Sequence, residues 1–309
     1  MRTAFIDTLL EMAAEDERIV LLTADLGWNV VERFAREFPE RFLNLGVAEA
    51  NMAGVATGLA LEGHVPFLYS IATFASMRCY EQVRNGPLLH RLPIRVVGIG
   101  GGYAYGHAGP THYGLEDLAL ARTQPGMTVL APADPLQTRQ VVRATATLEG
   151  PAYLRIGKGG NPEVPGLNGR FALGRPEVVR PGHQILLLVC GSIAHEALAA
   201  AVRLQSERVS AAVAVMAHLP FAPTRELLSL LAEFAAVVTV EEGFATGGLG
   251  SLVAEAIARE GLKTRLATRG VCRSFEAASG SEAYMRRQNG VDAASVAVAA
   301  RELLSIAPG

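Results

Sequence analysis

Residues 18–24 read RIVLLTA and residues 65–70 read VPFLYS, and both are short, almost uninterrupted apolar runs. Residues 47–62, which lie between them, are mostly small or apolar and are predicted to form a helix. Buried strands separated by helices are typical of a parallel sheet that is covered on both faces, because neither face of such a strand meets water. This stretch therefore predicts an α/β fold.

The same alternation runs through most of the chain. Further strands are predicted at 94–99, 127–131, 151–156, 184–190, 209–216, 235–241 and 264–268, and further helices at 3–15, 75–86, 115–122, 135–148, 192–205, 224–234 and 247–260. Residues 157–174, GKGGNPEVPGLNGRFALG, interrupt the pattern, since they are rich in Gly, Pro and Asn and lack an apolar period. We therefore predict two domains, residues 1–165 and 172–309, each an open, mostly parallel twisted sheet with helices on both faces.

The overall composition excludes several classes of protein. Of the 309 residues 50% are hydrophobic and 19% are charged, and the net charge is −2, so the chain is neither disordered nor strongly basic. With 6% aromatic residues and no basic excess, we expect no nucleic-acid partner. Three widely spaced cysteines give no disulfide framework, and no apolar run has the length of a membrane span. The sequence predicts a cytoplasmic protein without a membrane partner.

Glu49 is the single charged residue in positions 43–61, LNLGVAEANMAGVATGLAL. A carboxylate in such surroundings is costly to bury unless it is paired, and a buried glutamic acid is a natural proton donor to a ring nitrogen. Equally, the macrodipole favours a Glu at a helix N-terminus, and Gly46 could start the helix. The sequence leaves these two interpretations even. Gly54 and Gly58, four residues apart, would let the helix approach another backbone closely.

Residues 98–117, GIGGGYAYGHAGPTHYGLED, follow a predicted strand and contain His107 and His112. A phosphate-binding loop is disfavoured, because no Gly-Lys-Ser/Thr follows the glycines. A metal site is disfavoured as well, because no third ligand has a convincing spacing. Polar substrate contacts or acid–base groups fit the two histidines better, and solvated loop histidines remain the alternative.

Residues 69–84, YSIATFASMRCYEQVR, place Phe74, Met77 and Tyr80 at positions i, i+3 and i+6 of a predicted helix. Residues with this spacing lie along one helical face. They could form an aromatic wall for a flat ring, but the spacing alone favours a stripe of core residues.

Three motifs together resemble the C-terminal half of transketolase, the pyrimidine-binding domain followed by the C-terminal domain. They are LGVAEANMAG at 45–54, TF–x2–M–x2–Y at 73–80 and GPTH at 109–112. The resemblance covers essentially the whole chain, and the length matches the small subunit of two-subunit transketolases. It implies transfer of a two-carbon ketol unit from a ketose to an aldose with thiamine diphosphate as the cofactor. Deoxyxylulose-phosphate synthase, the β subunit of 2-oxoacid dehydrogenases and a non-catalytic regulatory subunit are the alternatives.

The resemblance assigns roles to individual residues. Glu49 matches the catalytic glutamate that hydrogen-bonds N1′ of the aminopyrimidine ring. His112 matches the GPTH histidine that contacts substrate oxygens. The remaining cofactor contacts are Asp25, in LTADLG, and the ring-wall positions Phe74, Met77 and Tyr80.

The departures from the family pattern concern the substrate. His107 and Ala108 stand where the family often has Glu-Asp, so the Asp that reads the ketose hydroxyl configuration is absent. Asn29 and Gly100 stand where the family has a phosphate-binding Ser and His, and Lys158 lies near the position of its phosphate-binding Arg. The resemblance therefore makes His107, Asn29 and Lys158 candidate substrate contacts and implies a specialised ketose, branched or otherwise modified.

The family's Mg²⁺ and diphosphate ligands lie in a domain that this sequence does not contain. No GDG followed by Asn occurs, and we predict no metal ligands in this chain. The resemblance implies a partner subunit that corresponds to the N-terminal half of transketolase, an α2β2 assembly, and no activity of this chain alone.

Overall fold

The computed structural model describes residues 1–272 and 278–305. The strands in these ranges are β1 (Ile19–Thr23), β2 (Phe42–Asn44), β3 (Val65–Ile71), β4 (Arg95–Ile99), β5 (Thr128–Leu130), β6 (Ala152–Ile156), β7 (Glu177–Arg180), β8 (Ile185–Cys190), β9 (Ala211–Val215), β10 (Ala236–Phe244) and β11 (Arg265–Val271). They form one sheet of order β2-β1-β3-β4-β6-β5 and a second of order β11-β10-β8-β9-β7. All strand pairs are parallel except β7 with β9. The predicted fold class is confirmed.

Helices connect the strands. Those in the described ranges are α1 (Arg2–Glu15), α2 (Glu32–Glu37), α3 (Glu49–Leu61), α4 (Ala72–Met77), α5 (Tyr80–Val83), α6 (Asp117–Arg122), α7 (Pro135–Ala144), α8 (Ala194–Ser206), α9 (Arg225–Ala232), α10 (Leu249–Glu260), α11 (Glu282–Gln288) and α12 (Ala293–Ser305). Some begin at residues whose side chains cap the free N–H groups; Asp134, for example, accepts from the Gln137 N–H at 2.7 Å. In this part of the chain no helix is long and apolar enough to cross a membrane.

Alternate strand residues face different cores. In β1, Ile19 and Leu21 pack into a cluster with α1 and α7, whereas Val20 and Leu22 face a cluster that includes α3. The second sheet follows the same rule, and the even-numbered residues Leu186 and Leu188 of β8 join the cluster of α3. One apolar core thus lies between the two sheets, and this is why the strands are apolar on both faces.

A buried ion pair at the first sheet is linked to the second sheet by a hydrogen bond. Arg155, in β6, donates to both carboxylate oxygens of Asp117, at the start of α6. Its remaining N–H groups donate to the carbonyls of Gly114 at 2.9 Å and Glu242, in β10, at 2.8 Å. Tyr153 completes the site, since its hydroxyl donates to Asp117 at 2.6 Å. Every charged group here has partners, as buried charges require.

The structure corrects the predicted helix at 75–86. Helix α4 ends at Met77, and α5 begins at Tyr80. Cys79 lies between them with φ −119° and ψ 18°, outside the helical region. The Tyr80 hydroxyl is fixed by the Leu120 carbonyl at 3.1 Å, so tertiary contacts override the local helical pattern.

Two short strands were also missing from the prediction. β2 has three residues, which is too few to show an alternation of side chains, and β7 is the antiparallel strand at the end of the second sheet. Residues 157–174 contain neither helix nor strand and connect β6 in the first sheet with β7 in the second. The domain limits 1–165 and 172–309 stay a prediction.

Candidate functional site

Most of the candidate residues follow four neighbouring strands of the first sheet. Asp25 follows β1, Phe74 follows β3, His112 lies in the connection after β4, and Lys158 follows β6. Carboxyl ends of parallel strands lie at one edge of a sheet, where open α/β sheets bind ligands. The sheet order therefore brings residues that are far apart in sequence to one edge.

Glu49 is both buried and at a helix N-terminus, so the two interpretations of the sequence are compatible. It is the first residue of α3 and is 2% exposed. The Ser70 hydroxyl donates to its Oε1 at 3.1 Å. Arg78 Nη1 donates to Oε1 at 3.1 Å and to Oε2 at 2.9 Å. The carboxylate is thus paired and oriented.

Arg78 is a site residue that the sequence analysis missed. Its guanidinium carbon lies 3.8 Å from the centroid of the Phe74 ring, so the cation stands between Phe74 and Glu49. The side chain is 44% exposed, which leaves it an open path to solvent. The sequence feature that could have pointed to Arg78 is its i, i+4 spacing from Phe74, because this spacing places two residues on one face of a helical turn.

A row of rings and a cation continues from Phe74. The Phe74 and His112 rings meet edge to face with centroids 5.2 Å apart, and the Tyr105 ring lies 6.2 Å beyond His112. The Lys158 ammonium lies 4.2 Å from the centroid of Tyr105. His112 Nδ1 hydrogen-bonds Thr111 Oγ1 at 2.9 Å, which leaves its Nε2 for another partner.

Tyr105, also missed, fills the space beside Gly100. Gly100 has φ +71°, and a Cβ at this position would clash with the Tyr105 ring. A longer side chain at position 100 and the present place of Tyr105 are therefore incompatible. Burial raises the pKa of the Tyr105 hydroxyl, so it stays protonated at neutral pH. Gly100 is the sequence feature that could have indicated this space. The sequence does not show, however, that the Tyr105 ring fills it.

Phe74, Met77 and Tyr80 are not a stripe of core residues. Met77 is 38% exposed, and Phe74 and Tyr80 are half-buried. Tyr80 points its hydroxyl at Leu120 and lines an apolar cavity beside α4. The cavity is lined by Ala75, Ser76, Tyr80, Val83, Leu88, Val96, Leu120, Ala121, Gln124, Met127 and Tyr153.

Asp25, Asn29 and His107 lie at the surface. Asp25 has φ +56° and exchanges hydrogen bonds with the side chain of Asn44 at 3.0 and 3.2 Å. Asn29 has φ +61°, and its N–H donates to Glu32 Oε1 at 2.8 Å. His107 is exposed in a 3₁₀ turn. No hydrogen bond or ring contact within the described residues joins these three to Glu49.

The chemistry of the site is that of a carboxylate and not of a thiolate. Burial, with the nearby Glu49 charge, raises the pKa of the Cys79 thiol to about 12. Cys79 is therefore protonated at neutral pH and is a poor nucleophile. No group of three His, Cys, Asp or Glu suited to a metal ion occurs in residues 1–272 and 278–305. The site can exchange a proton through Glu49 and form hydrogen bonds through His112.

Two family models match the chain in succession. The model of the transketolase pyrimidine-binding domain matches residues 1–162, and the model of the transketolase C-terminal domain matches residues 174–296.

The chain is similar to proteins of about its own length. It is 36% identical over 302 residues to a putative transketolase C-terminal section from Methanocaldococcus jannaschii, which covers 96% of this chain and 94% of that one. It is 36% identical over 305 residues to a 6-deoxy-6-sulfo-D-fructose transketolase subunit from Clostridium sp. (strain MSTE9), which covers 98% and 94%. The solved structure of a split-gene transketolase, described as an inactive β4 tetramer, matches with a TM-score of 0.88, 37% identity and 98% coverage of each chain.

Longer proteins match as well. A 1-deoxy-D-xylulose-5-phosphate synthase from Syntrophus aciditrophicus is 32% identical over 305 residues, which cover 98% of this chain and 47% of that protein. The chain thus spans about half the length of this relative.

Proposed function

The chain belongs to the transketolase family, and we propose on that premise that it is the pyrimidine-binding subunit of a two-subunit transketolase. The reaction would transfer a two-carbon ketol unit from a ketose to an aldose. Relatives of equal length that are called a C-terminal section or a subunit support a division of the enzyme between two chains. A cytoplasmic location remains part of this proposal.

The position of Arg78 is the observation that carries the cofactor assignment. Its guanidinium is flat and donates hydrogen bonds, and it lies against Phe74 while it donates to Glu49. A flat ring with a protonated nitrogen satisfies the same two groups, so the residues fit the aminopyrimidine of thiamine diphosphate. The Arg78 side chain would turn toward solvent when the ring binds. Thiamine diphosphate, when bound there, would supply a nucleophilic carbon for the reaction with the ketose.

The residues of this chain would have separate tasks. Glu49 would share a proton with N1′ of the ring, and Ser70 would orient its carboxylate. Phe74, Met77 and Tyr80 would border the ring, and Asp25 would lie near the cofactor. His112 would donate a hydrogen bond to substrate oxygens.

A partner subunit would supply the diphosphate and Mg²⁺ ligands. Helix α3, which begins at Glu49, offers an open face for it, since a Cβ at Gly54 or Gly58 would meet nothing within 4 Å. Val47, 72% exposed, and Leu61 flank this face. We propose an α2β2 assembly, in which α3 lies against the partner. The solved split-gene relative described as a β4 tetramer is inactive, which supports the need for a second kind of subunit.

The isolated chain is expected to bind thiamine diphosphate weakly or not at all, because hard oxygen ligands for Mg²⁺ are proposed to lie on the partner. Isothermal calorimetry with Mg²⁺ on the isolated chain checks this, and the same titration of the two-subunit complex is the control. Tight, Mg²⁺-dependent binding by the chain alone would contradict the division of the site.

The proposed substrate is a specialised ketose with an anionic end. Tyr105 occupies the space beside Gly100, and the Lys158 ammonium lies 4.2 Å from the centroid of the Tyr105 ring, so the geometry differs from a site built of Ser, His and Arg. Lys158 can hold an oxyanion as a point charge, and His107 and Asn29 are the further candidate contacts. The relative named for 6-deoxy-6-sulfo-D-fructose supports a modified ketose.

We expect slow turnover of xylulose 5-phosphate and faster turnover of a modified ketose, because two or three lost charge-assisted contacts, each worth about 1.5–3 kcal/mol, lower kcat/KM about a hundredfold or more. Lys158→Ala should raise KM for anionic ketoses and leave an uncharged analogue little affected. A substrate panel on the two-subunit enzyme measures both, with exposed Lys263→Ala as the matched control. Turnover of xylulose 5-phosphate at ordinary transketolase rates would contradict the proposed specialised ketose. Equal effects of Lys158→Ala on anionic and uncharged ketoses would contradict the proposed role of Lys158.

The second candidate function is a deoxyxylulose-phosphate-synthase-like reaction, which the match over 98% of this chain favours. The reconstituted enzyme decides between them. Ketol transfer between a ketose and an aldose supports the transketolase, whereas decarboxylation of pyruvate without ketol transfer supports the second candidate or a 2-oxoacid dehydrogenase. A complex that binds cofactor and performs neither reaction would indicate a regulatory subunit.

A further inference from the structure

Residues 102–114, here called the histidine loop, carry His107 and His112 and touch both sheets. Hydrogen bonds of 2.7 and 3.0 Å between the backbones of Gly102 and Gly114 close the loop at its base. The loop is not free beyond that base, because its carbonyl at Gly106 accepts from the Gly280 N–H at 3.1 Å. Its position therefore depends on residues of the second half of the chain.

Glu242, in β10 of the second sheet, makes the main contact. Its Oε1 accepts from the Tyr103 N–H at 3.1 Å, and the residue is 3% exposed. Its backbone carbonyl accepts from Arg155, which also donates to Gly114 at the other end of the loop base. One residue of the second sheet thus contacts the base of the histidine loop directly and through Arg155.

Arg286, in α11, holds the Glu242 carboxylate in place. Its Nε donates to Oε1 at 3.0 Å and its Nη2 donates to Oε2 at 2.8 Å, so the pair is bidentate. The same guanidinium has two further partners: its Nη1 lies 3.0 Å from His195 Nε2, and its Nη2 donates to Glu282 Oε1 at 2.5 Å. A buried carboxylate with a bidentate partner has little freedom to rotate, and it gives the loop a rigid support.

The loop approaches Glu242 so closely only because its first residue is a glycine. Gly102 has φ +65°, and a Cβ there would lie 2.5 Å from the Cγ and Cδ atoms of Glu242. A methyl group at position 102 would have to displace either the loop base or the Glu242 side chain that supports it. This gives a way to move the loop without removing a charge.

We propose that Glu242 and Arg286 are positioning residues, which fix His112 in the donor site through the histidine loop. This rests on the proposed function, since His112 is taken as the group that meets the substrate. Neither residue touches the site itself, but a displacement of about 1 Å can cost about 10²-fold in rate, and supporting residues set such distances. The second sheet then has a task in the reaction in addition to stability.

The first test uses the full chain alone and needs no activity. The nuclear magnetic resonance signal of the His112 ring, which lies 5.2 Å from the Phe74 ring, reports the place of the loop. We expect the signal to shift in Gly102→Ala and in Arg286→Met. Gly166→Ala is the matched control, since Gly166 also has a positive φ and a close contact but lies in the connection between the sheets. An unchanged signal in folded Gly102→Ala would overturn the proposal.

The second test uses the two-subunit enzyme with its preferred ketose. In Gly102→Ala, kcat/KM for the donor should fall about tenfold to a hundredfold, while the dissociation constant of thiamine diphosphate stays within about twofold. Gly166→Ala should change neither. Equal losses in cofactor binding and donor turnover would overturn the proposal, because the effect would then not be confined to the loop. If the wild-type complex transfers no ketol unit, the proposed function fails, and the resonance test still judges the loop.

Discussion

Replacing Glu49 by Gln is expected to lower the turnover of the two-subunit enzyme by about 10²–10⁴-fold, the usual cost of losing a positioned acid–base group. Gln keeps the length of the side chain and its hydrogen bond to Ser70 but cannot share a proton with a ring nitrogen. The chain should still fold, because Arg78 is 44% exposed and can turn to solvent when its partner is lost.

Steady-state kinetics on the reconstituted enzyme measure this effect, and thermal unfolding checks that the variant is folded. Glu260→Gln is the matched control, since Glu260 is an exposed residue at the end of α10 and outside the face proposed for the partner subunit. Near-normal turnover of Glu49→Gln would show that another group handles the proton. If Glu49→Gln binds the cofactor more weakly but turns over normally once the cofactor is saturating, Glu49 contributes to cofactor binding and not to proton transfer.

The fold was predictable because the strands are buried on both faces. Each strand reads as an apolar run, as RIVLLTA does, and the helices between such runs fix the parallel order. β2 and β7 escaped prediction for the opposite reason, since their side chains are mostly only partly buried or exposed. The break between α4 and α5 escaped as well, because it is set by the contacts of Tyr80 with α6 and the residues after it and not by local propensity.

The site was only partly predictable. Glu49 stands out because it is a lone charge in an apolar run, and GPTH stands out as a motif. Arg78 and Tyr105 do not, because the first acts through a residue 29 positions away and the second through the space that Gly100 leaves. Glu242 lies even farther along the chain from the loop that it supports. Such pairings follow from the sheet order, which a single sequence does not state.

The buried pair of Arg155 and Asp117 should have the largest effect on stability. Replacing Arg155 by Met removes the partner of a carboxylate that is 1% exposed, and breaking a buried pair from one side typically costs about 3–5 kcal/mol. It also removes the donors to the Gly114 and Glu242 carbonyls, and the bond to Glu242 connects the two sheets. We expect the free energy of unfolding to fall by at least this amount.

Urea unfolding of the full chain measures the change, and Arg143→Met is the matched control. Arg143 pairs with Glu11 across an exposed surface, where an ion pair contributes about 0–1 kcal/mol. The double variant Asp117→Asn with Arg155→Met separates the two causes of the loss. If the unpaired charge dominates, the double variant is more stable than Arg155→Met alone, because no buried carboxylate is left without a partner. If both variants are equally unstable, the lost hydrogen bonds to the Gly114 and Glu242 carbonyls account for the effect. If Arg155→Met lowers the free energy of unfolding no more than Arg143→Met does, the stabilising role proposed for Arg155 is contradicted.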